Sequence, residues 1–155
     1  MAIRKSFIFL KFFLFLLYSS LSNASSIGYA SNSSAEIFYD VESSESNQEY
    51  LLGVKFKLDS GWHTYWKNPG DSGEKASFEW TLPDGFKIEG PFWPQPEKIP
   101  YPPLMTFGYN DEVTIFFKLS SSERINDNSE ISLSTKWLAC ADVCLPQETF
   151  IKTNI

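Results

Sequence analysis

Two cysteines, Cys140 and Cys144, are the residues of this chain whose type and spacing could do redox chemistry. Three residues separate them, so a bond between their sulfurs closes a small ring over a tight turn. As a structural cross-link, so short a ring contributes only about 2 kcal/mol of loop-closure entropy. A close and exposed pair is also the kind whose disulfide exchanges with other thiols. The spacing alone therefore leaves two interpretations open, a structural disulfide and a redox-active one.

A metal site is a further alternative for the two cysteines. Cu(I) prefers thiolate, thioether and imidazole ligands, and the other soft candidates beyond the N-terminal methionine are His63 and Met105. Zinc sites use three or four protein ligands, and the sequence offers no second Cys/His pair. We expect no metal and no other cofactor, with a Cu(I) site at the cysteines as the minority hypothesis.

The single histidine, His63, lies in the aromatic segment Trp62-His63-Thr64-Tyr65-Trp66. A histidine paired with a cysteine can lower the pKa of the thiol. We favour the simpler expectation, a histidine at a strand start that bonds to the backbone. The aromatic side chains could stack on a sugar, but aromatics at strand ends more often fill a sandwich core. We keep His63 and Tyr65 as candidates for residues that support the cysteine pair.

A third segment, residues 103–112, contains Phe107-Gly108-Tyr109. We predict a glycine-containing loop that carries two aromatic side chains. Such a loop could cover a reactive disulfide and restrict which partners reach it. The alternative is a simple turn that leads into the next strand.

The N-terminus has the pattern of a secretory signal. Arg4 and Lys5 precede an apolar run over residues 7–18 that only Lys11 interrupts, and small residues follow up to Ala24. This order predicts a cleaved signal peptide over residues 1–24. An uncleaved membrane anchor is the alternative, although a spanning helix needs about 20 apolar residues. Export would place both cysteines where a disulfide persists, and we expect a periplasmic location.

The charge balance excludes some partners. The chain of 155 residues has a net charge of −6, and the predicted signal contains three basic residues and no acidic one. The remainder is therefore more acidic than the whole chain. Such a balance argues against nucleic acid and against an anionic membrane surface as partners.

The hydrophobic pattern downstream has a period of two. Apolar and polar residues alternate over 54–58, 113–119 and 131–137, which predicts strands with one buried face. Shorter candidate strands are 36–41, 77–82, 86–92 and 148–153. With turn signals between them, these strands predict an antiparallel β-sandwich over residues 36–155, after a flexible leader over 25–35. The proline-rich stretch 91–103 is predicted to be a long ordered loop, because proline lacks the donor that a central strand needs.

Four motifs in this order resemble the N-terminal periplasmic domain of the DsbD/ScsB family of thiol:disulfide interchange proteins. They are the segment Trp62 to Gly73, Trp93-Pro94-Gln95-Pro96, Thr106-Phe107-Gly108-Tyr109 and Cys140-x-x-x-Cys144-x-Pro146. Two details differ from the best-described relatives. More residues separate the cysteines there, and an aromatic residue stands at the position of Thr106.

The resemblance implies an all-β, immunoglobulin-like sandwich in which Cys140 and Cys144 are the redox pair of a protein-disulfide reductase domain. It implies a membrane-embedded or thioredoxin-like electron donor and thioredoxin-fold partners. It also implies that Cys144 forms mixed disulfides, that Cys140 resolves them, and that Phe107, Gly108 and Tyr109 shield the pair. The competing hypothesis is a non-catalytic or copper-handling sandwich with a structural disulfide.

Overall fold

The alternating segments of the sequence form antiparallel strands. The computed structural model describes residues 26–44, 47–122 and 129–155, and the predicted signal segment 1–24 lies outside these ranges. The strands are β1 (Ile27–Tyr29), β2 (Ser33–Ser44), β3 (Asn47–Leu58), β4 (His63–Gly70), β5 (Ser77–Thr81), β6 (Phe86–Phe92), β7 (Glu97–Tyr101), β8 (Leu104–Asn110), β9 (Glu112–Ser121), β10 (Glu130–Cys140) and β11 (Cys144–Asn154). In the part of the chain that is described, no helix is long and apolar enough to cross a bilayer.

The strands form two antiparallel sheets. The first has the order β1-β2-β3-β9-β6, and the second has the order β11-β10-β4-β8-β7, with β5 also paired to β10. Two such sheets with their inner faces packed together make the immunoglobulin-like sandwich that the sequence predicts.

The predicted alternation has the correct phase in all three long segments. Val54, Phe56 and Leu58 of β3 are buried, and so are the matching residues of β9 and β10 (Val113, Ile115, Phe117, Leu119, Ile131, Leu133, Thr135 and Trp137). Trp137 also joins the two sheets, because its Nε1 donates a hydrogen bond of 3.1 Å to Ser33 Oγ on β2. This core fixes β10, the strand that ends at Cys140.

The expectation of a flexible leader over residues 25–35 is corrected by the structure. It contains β1 and the first residues of β2. Two contacts order it: Ala30 packs against the core, and the backbone N–H of Ser31 donates to Gln147 Oε1 at 2.9 Å. The polar composition of the segment gives no sign of either contact, and the acceptor of the second lies 116 positions along the chain.

The loops predicted over 91–103 and 103–112 are also corrected, because they contain β7 and β8. β7 is one edge strand of its sheet and pairs with β8. An edge strand tolerates proline because one side of its backbone needs no partner, which explains Pro100 in β7. The expectation that the proline-rich residues 91–103 contain no central strand therefore agrees with the structure. β8 lies between β7 and β4 and so extends the sheet toward the cysteines.

Candidate active site

The two cysteines form the last residue pair of a hairpin. β10 and β11 are paired along their whole length, and Cys140 lies opposite Cys144. The three-residue loop between them is closed by a hydrogen bond of 2.9 Å from the N–H of Ala141 to the carbonyl oxygen of Val143. The two Sγ atoms are bonded at 2.04 Å. A disulfide thus closes the tip of this hairpin.

The two cysteines differ in their exposure. Cys140 is 1% exposed, whereas Cys144 is an exposed residue at the start of β11. The strand order explains this difference, since β10 lies between β11 and β4 and His63 of β4 pairs with Cys140. β11 is an edge strand of this sheet, with β10 as its neighbour. Cys144 is therefore the more accessible residue of the pair.

Tyr65 of β4 contacts both sulfurs. Its hydroxyl donates a hydrogen bond of 3.1 Å to Cys140 Sγ, and its oxygen lies 3.6 Å from Cys144 Sγ. The side chain is 3% exposed, and burial raises the pKa of its hydroxyl while a hydrogen bond with Ser72 acts in the opposite direction. Tyr65 therefore stays protonated, and remains a donor, over the pH range in which a thiol titrates.

The turn after β4 covers Tyr65. A Cβ atom on Gly73 would lie within 2.4 Å of the Tyr65 ring, so only glycine allows this approach. The turn is held to β8 by Asp71, whose backbone N–H donates to the Met105 carbonyl at 3.1 Å and whose Oδ2 accepts from the Met105 N–H at 2.9 Å. Ser72 and Gly73 belong to the motif Trp62 to Gly73, but neither was expected to act at the site. The sequence feature that indicates this turn is the pair of glycines at 70 and 73. Both adopt positive φ angles, of 90° and 95°.

His63 is the first residue of β4, at the strand start where the sequence placed it. Its imidazole packs edge-on against Tyr65, with 5.3 Å between ring centroids. Burial lowers the pKa of His63, so the imidazole is neutral near pH 7. Of the neighbouring aromatic residues, Trp62 and Trp66 pack against the core, as expected for a sandwich.

The three residues predicted to shield the disulfide lie on β8. Gly108 is opposite Tyr65, and Tyr109 is opposite Thr64, so this strand borders the site. Tyr109 is buried in the core, and its hydroxyl donates to the carbonyl oxygen of Pro94 at 2.8 Å. Phe107 is half-buried beside Gly70. The contacts of Tyr109 assign it a structural role, and shielding by Phe107 and Gly108 stays a prediction.

The hypothesis of a metal site at the cysteines requires further ligands close to them. Among the described residues, no group of three or more His, Cys, Asp or Glu side chains is arranged to hold a metal ion. Met105, the thioether candidate, is 40% exposed on β8, where its backbone bonds to Asp71.

Comparison with known proteins identifies the same architecture elsewhere. The family model described as thiol:disulfide interchange protein DsbD, N-terminal, matches residues 33–154. A crystal structure of the N-terminal periplasmic domain of ScsB from Proteus mirabilis superimposes with a TM-score of 0.61 and 19% sequence identity. The match covers 84% of this chain and 52% of that one, so this chain spans about half the length of its structural neighbour. No curated protein matches the chain.

Proposed function

Because the chain belongs to the family of N-terminal domains of the thiol:disulfide interchange protein DsbD, we propose that it transfers electrons through the Cys140–Cys144 pair. The observation that carries this proposal is the unequal exposure of the two cysteines. A structural disulfide needs no accessible sulfur, whereas exchange needs one sulfur open to attack and a second that can act as leaving group. Cys144 has the first property and Cys140 the second.

In the proposed reaction, a thiolate of a reduced partner attacks Cys144 Sγ. A bond forms between the partner sulfur and Cys144 Sγ, the Cys140–Cys144 bond breaks, and its electron pair leaves with Cys140 as a thiolate. The second thiolate of the partner then attacks the partner's own sulfur and releases Cys144. The partner becomes a disulfide, and this domain gains two electrons and, from solvent, two protons.

Delivery of these electrons is the same reaction with the roles exchanged. The Cys144 thiolate attacks the disulfide of a second partner, and Cys140 resolves the mixed disulfide by attacking Cys144 Sγ. The Tyr65 hydroxyl supports both directions. A hydrogen bond to the charged form of a group stabilises that form, so Tyr65 favours the Cys140 thiolate that leaves or attacks.

The partners follow from this chemistry and from the family. We propose a thioredoxin-fold protein or domain on one side and a membrane-embedded donor or an oxidised protein on the other. The proposed location is the periplasm, supported by the predicted signal over 1–24 and by the periplasmic domain that is the structural neighbour.

Two single-cysteine variants test the proposal. After reaction with an oxidised thioredoxin-fold protein, reduced Cys140→Ser should form a stable mixed disulfide through Cys144. Reduced Cys144→Ser, which keeps only the buried sulfur, should form at least tenfold less. Equal amounts from both variants would contradict the assignment of Cys144. A wild-type reduction potential below about −300 mV would instead support a structural disulfide.

A further inference from the structure

A groove of about 470 Å³ lies on the sheet that carries the disulfide. Glu74 and Lys75 line one side of it, and Leu138 and Pro146 supply its apolar part. Lys136 and Glu148 line it farther along the hairpin. None of these residues has a role in the exchange reaction described above.

The groove and the cysteines share one face of the hairpin. Cys140 pairs with Cys144, Leu138 with Pro146, and Lys136 with Glu148, at steps of two residues. Since side chains alternate along a strand, all three pairs point to the same side of the sheet. The opposite side of β10 faces the core, where Trp137 and Ala139 are buried. The groove is thus a continuation of the surface that presents Cys144.

The backbone framework determines the position of this groove. β10 pairs with β4 at Cys140 but with β5 from Lys136 backward, so a gap remains between the two neighbouring strands. The connection from β4 to β5 runs beside this gap. It is fixed at its far end by the burial of Ala76 and by a hydrogen bond of 2.8 Å from Thr135 Oγ1 to the Ser77 carbonyl.

We propose that this groove binds the extended segment of a redox partner that flanks the partner's reactive cysteine, with an apolar side chain two residues from that cysteine lying on Leu138 and Pro146. The inference rests on the proposed exchange at Cys144 and adds to it the part of the partner that is recognised.

The spacing of two extended chains supports this occupant. A mixed disulfide holds the Cα atoms of its two cysteines about 5.5–6 Å apart, so the partner's backbone must pass close to Cys144. An extended chain rises about 3.3 Å per residue, and its side chains at alternate positions share one face. In the partner, a side chain two residues from the cysteine therefore lies about 7 Å from it along the chain. Pro146 lies at the same distance, about 7 Å, from Cys144 along β11.

The charges of the groove favour an apolar contact over an ionic one. Two cations, Lys75 and Lys136, and two anions, Glu74 and Glu148, line it, so it offers no net charge to a partner. Lys136 and Glu148 form an ion pair of 3.7 Å with side chains 62% and 74% exposed, and exposed pairs contribute little. Ser77, Trp137 and Gln147 also line the groove, but Trp137 and Gln147 are buried residues whose positions alternate with those of Leu138 and Pro146. Leu138 and Pro146 are the apolar residues on the outer face that can select a partner segment.

Synthetic cysteine peptides test the proposal without a natural partner. The probes are N-acetylcysteine amide, an acetylated pentapeptide amide with a central cysteine among four alanines, and two versions of it with leucine two residues before or after the cysteine. We expect a leucine peptide to reduce the wild-type disulfide about tenfold faster than the alanine peptide. The rate with N-acetylcysteine amide, which cannot fill the groove, measures how each variant below changes the reactivity of the disulfide itself, and each peptide rate is divided by it.

Variants locate the binding. Leu138→Asp should abolish the preference for leucine, and so should Pro146→Ser, which replaces an exposed residue and leaves the core untouched. Phe150→Asp is the matched control, because Phe150 is a 59% exposed apolar residue of β11 on the same face but outside the groove. Its leucine preference should equal that of the wild type.

The outcomes separate this inference from the proposed function. If the wild type reacts with all peptides at one rate, the groove has no such occupant while exchange at Cys144 stands. A leucine preference that survives both groove variants places the recognition elsewhere and overturns the inference. No reaction with any thiol would overturn the exchange function itself.

Discussion

The hydroxyl of Tyr65 donates a hydrogen bond to Cys140 Sγ at 3.1 Å and so joins β4 to the disulfide hairpin. The bond reaches the buried cysteine, which is the leaving group in the proposed reaction. A donor already in place at a leaving group costs no reorganisation when negative charge develops there. We therefore propose that Tyr65 supports exchange through this contact.

Removal of the Tyr65 hydroxyl should slow exchange. Hydrogen bonds to charged groups contribute about 1.5–3 kcal/mol, and the loss of half of this in the transition state is a factor of about four to twelve. We therefore expect Tyr65→Phe to be reduced by dithiothreitol about four- to twelvefold more slowly at pH 7. We also expect a higher pKa for the Cys140 thiol in the reduced variant, measured by the pH dependence of alkylation.

Tyr50→Phe is the control for this change. Tyr50 is a buried tyrosine of β3, in the sheet without the cysteines. Its variant should keep the wild-type rate of reduction and the wild-type thiol pKa. Equal rates for Tyr65→Phe and the wild type would contradict a role of the hydroxyl in exchange.

Gly73→Ala should displace Tyr65 from the sulfurs. The new Cβ atom would meet the tyrosine ring at 2.2 Å, and the backbone at Gly73 has a φ of 95°. Gly61→Ala separates these two effects, because Gly61 has a φ of 83° with nothing within 4 Å of the added atom. We expect Gly61→Ala to cost about 1 kcal/mol of stability through backbone strain and to leave the exchange rate unchanged.

Gly73→Ala should cost more stability than Gly61→Ala and should also slow reduction. Urea denaturation measures the first effect, and stopped-flow reduction by dithiothreitol measures the second. An exchange rate that is the same in both glycine variants would show that Tyr65 does not depend on the turn at residues 70–73.

The pH dependence of stability should carry a contribution from His63. Burial lowers its pKa below the usual 6.5, so the unfolded chain binds a proton at a pH where the folded chain does not. The free energy of unfolding should therefore fall as pH decreases from about 6.5 toward 5. His63→Gln should flatten this part of the profile, measured as the urea midpoint at pH 7 and pH 5. His63 is the single histidine of the chain, so an unchanged slope in the variant would refute the assignment.

The hydrogen bond between the two sheets should contribute to stability. Ser33→Ala leaves the buried Nε1 of Trp137 without its acceptor, and an unsatisfied buried donor costs about 1–3 kcal/mol. Ser34→Ala is the matched control, since Ser34 is the next residue of β2 and lies on its other face. We expect a lower urea midpoint for the first variant only, and equal midpoints would show that Trp137 finds another acceptor.

The sequence predicts the fold well where one face of a strand is buried and the other is exposed to solvent. In β3, β9 and β10 the apolar residues alternate with lysine, serine or threonine, apart from Phe116, and all three strands have the predicted inner face. The prediction misses β1 in a polar segment, β7, which contains Pro100, and β8, which was expected to be a loop. β4 carries aromatic residues on both faces, because Tyr65 lies at the disulfide while Trp66 packs on the core, so its period is hidden.

The site is predictable only in part for a similar reason. The cysteine pair is visible from its spacing and compartment, and the resemblance of four motifs assigns it to exchange. The different exposure of Cys140 and Cys144 depends on the strand order, which places β4 beside one and solvent beside the other. The contact with Tyr65 joins residues 75 positions apart, and no local pattern encodes it.

Both cysteines belong to one hairpin and are four positions apart, which limits what a change of redox state can do to the rest of the molecule. Breaking the bond opens a ring of five residues and removes about 2 kcal/mol of the stabilisation that a cross-link gives by restricting the unfolded chain, against a typical domain stability of 5–15 kcal/mol. The scaffold should therefore have the same shape in the oxidised and the reduced protein. A partner that must distinguish these two states could detect the difference only at the hairpin tip and at the side chains that contact it.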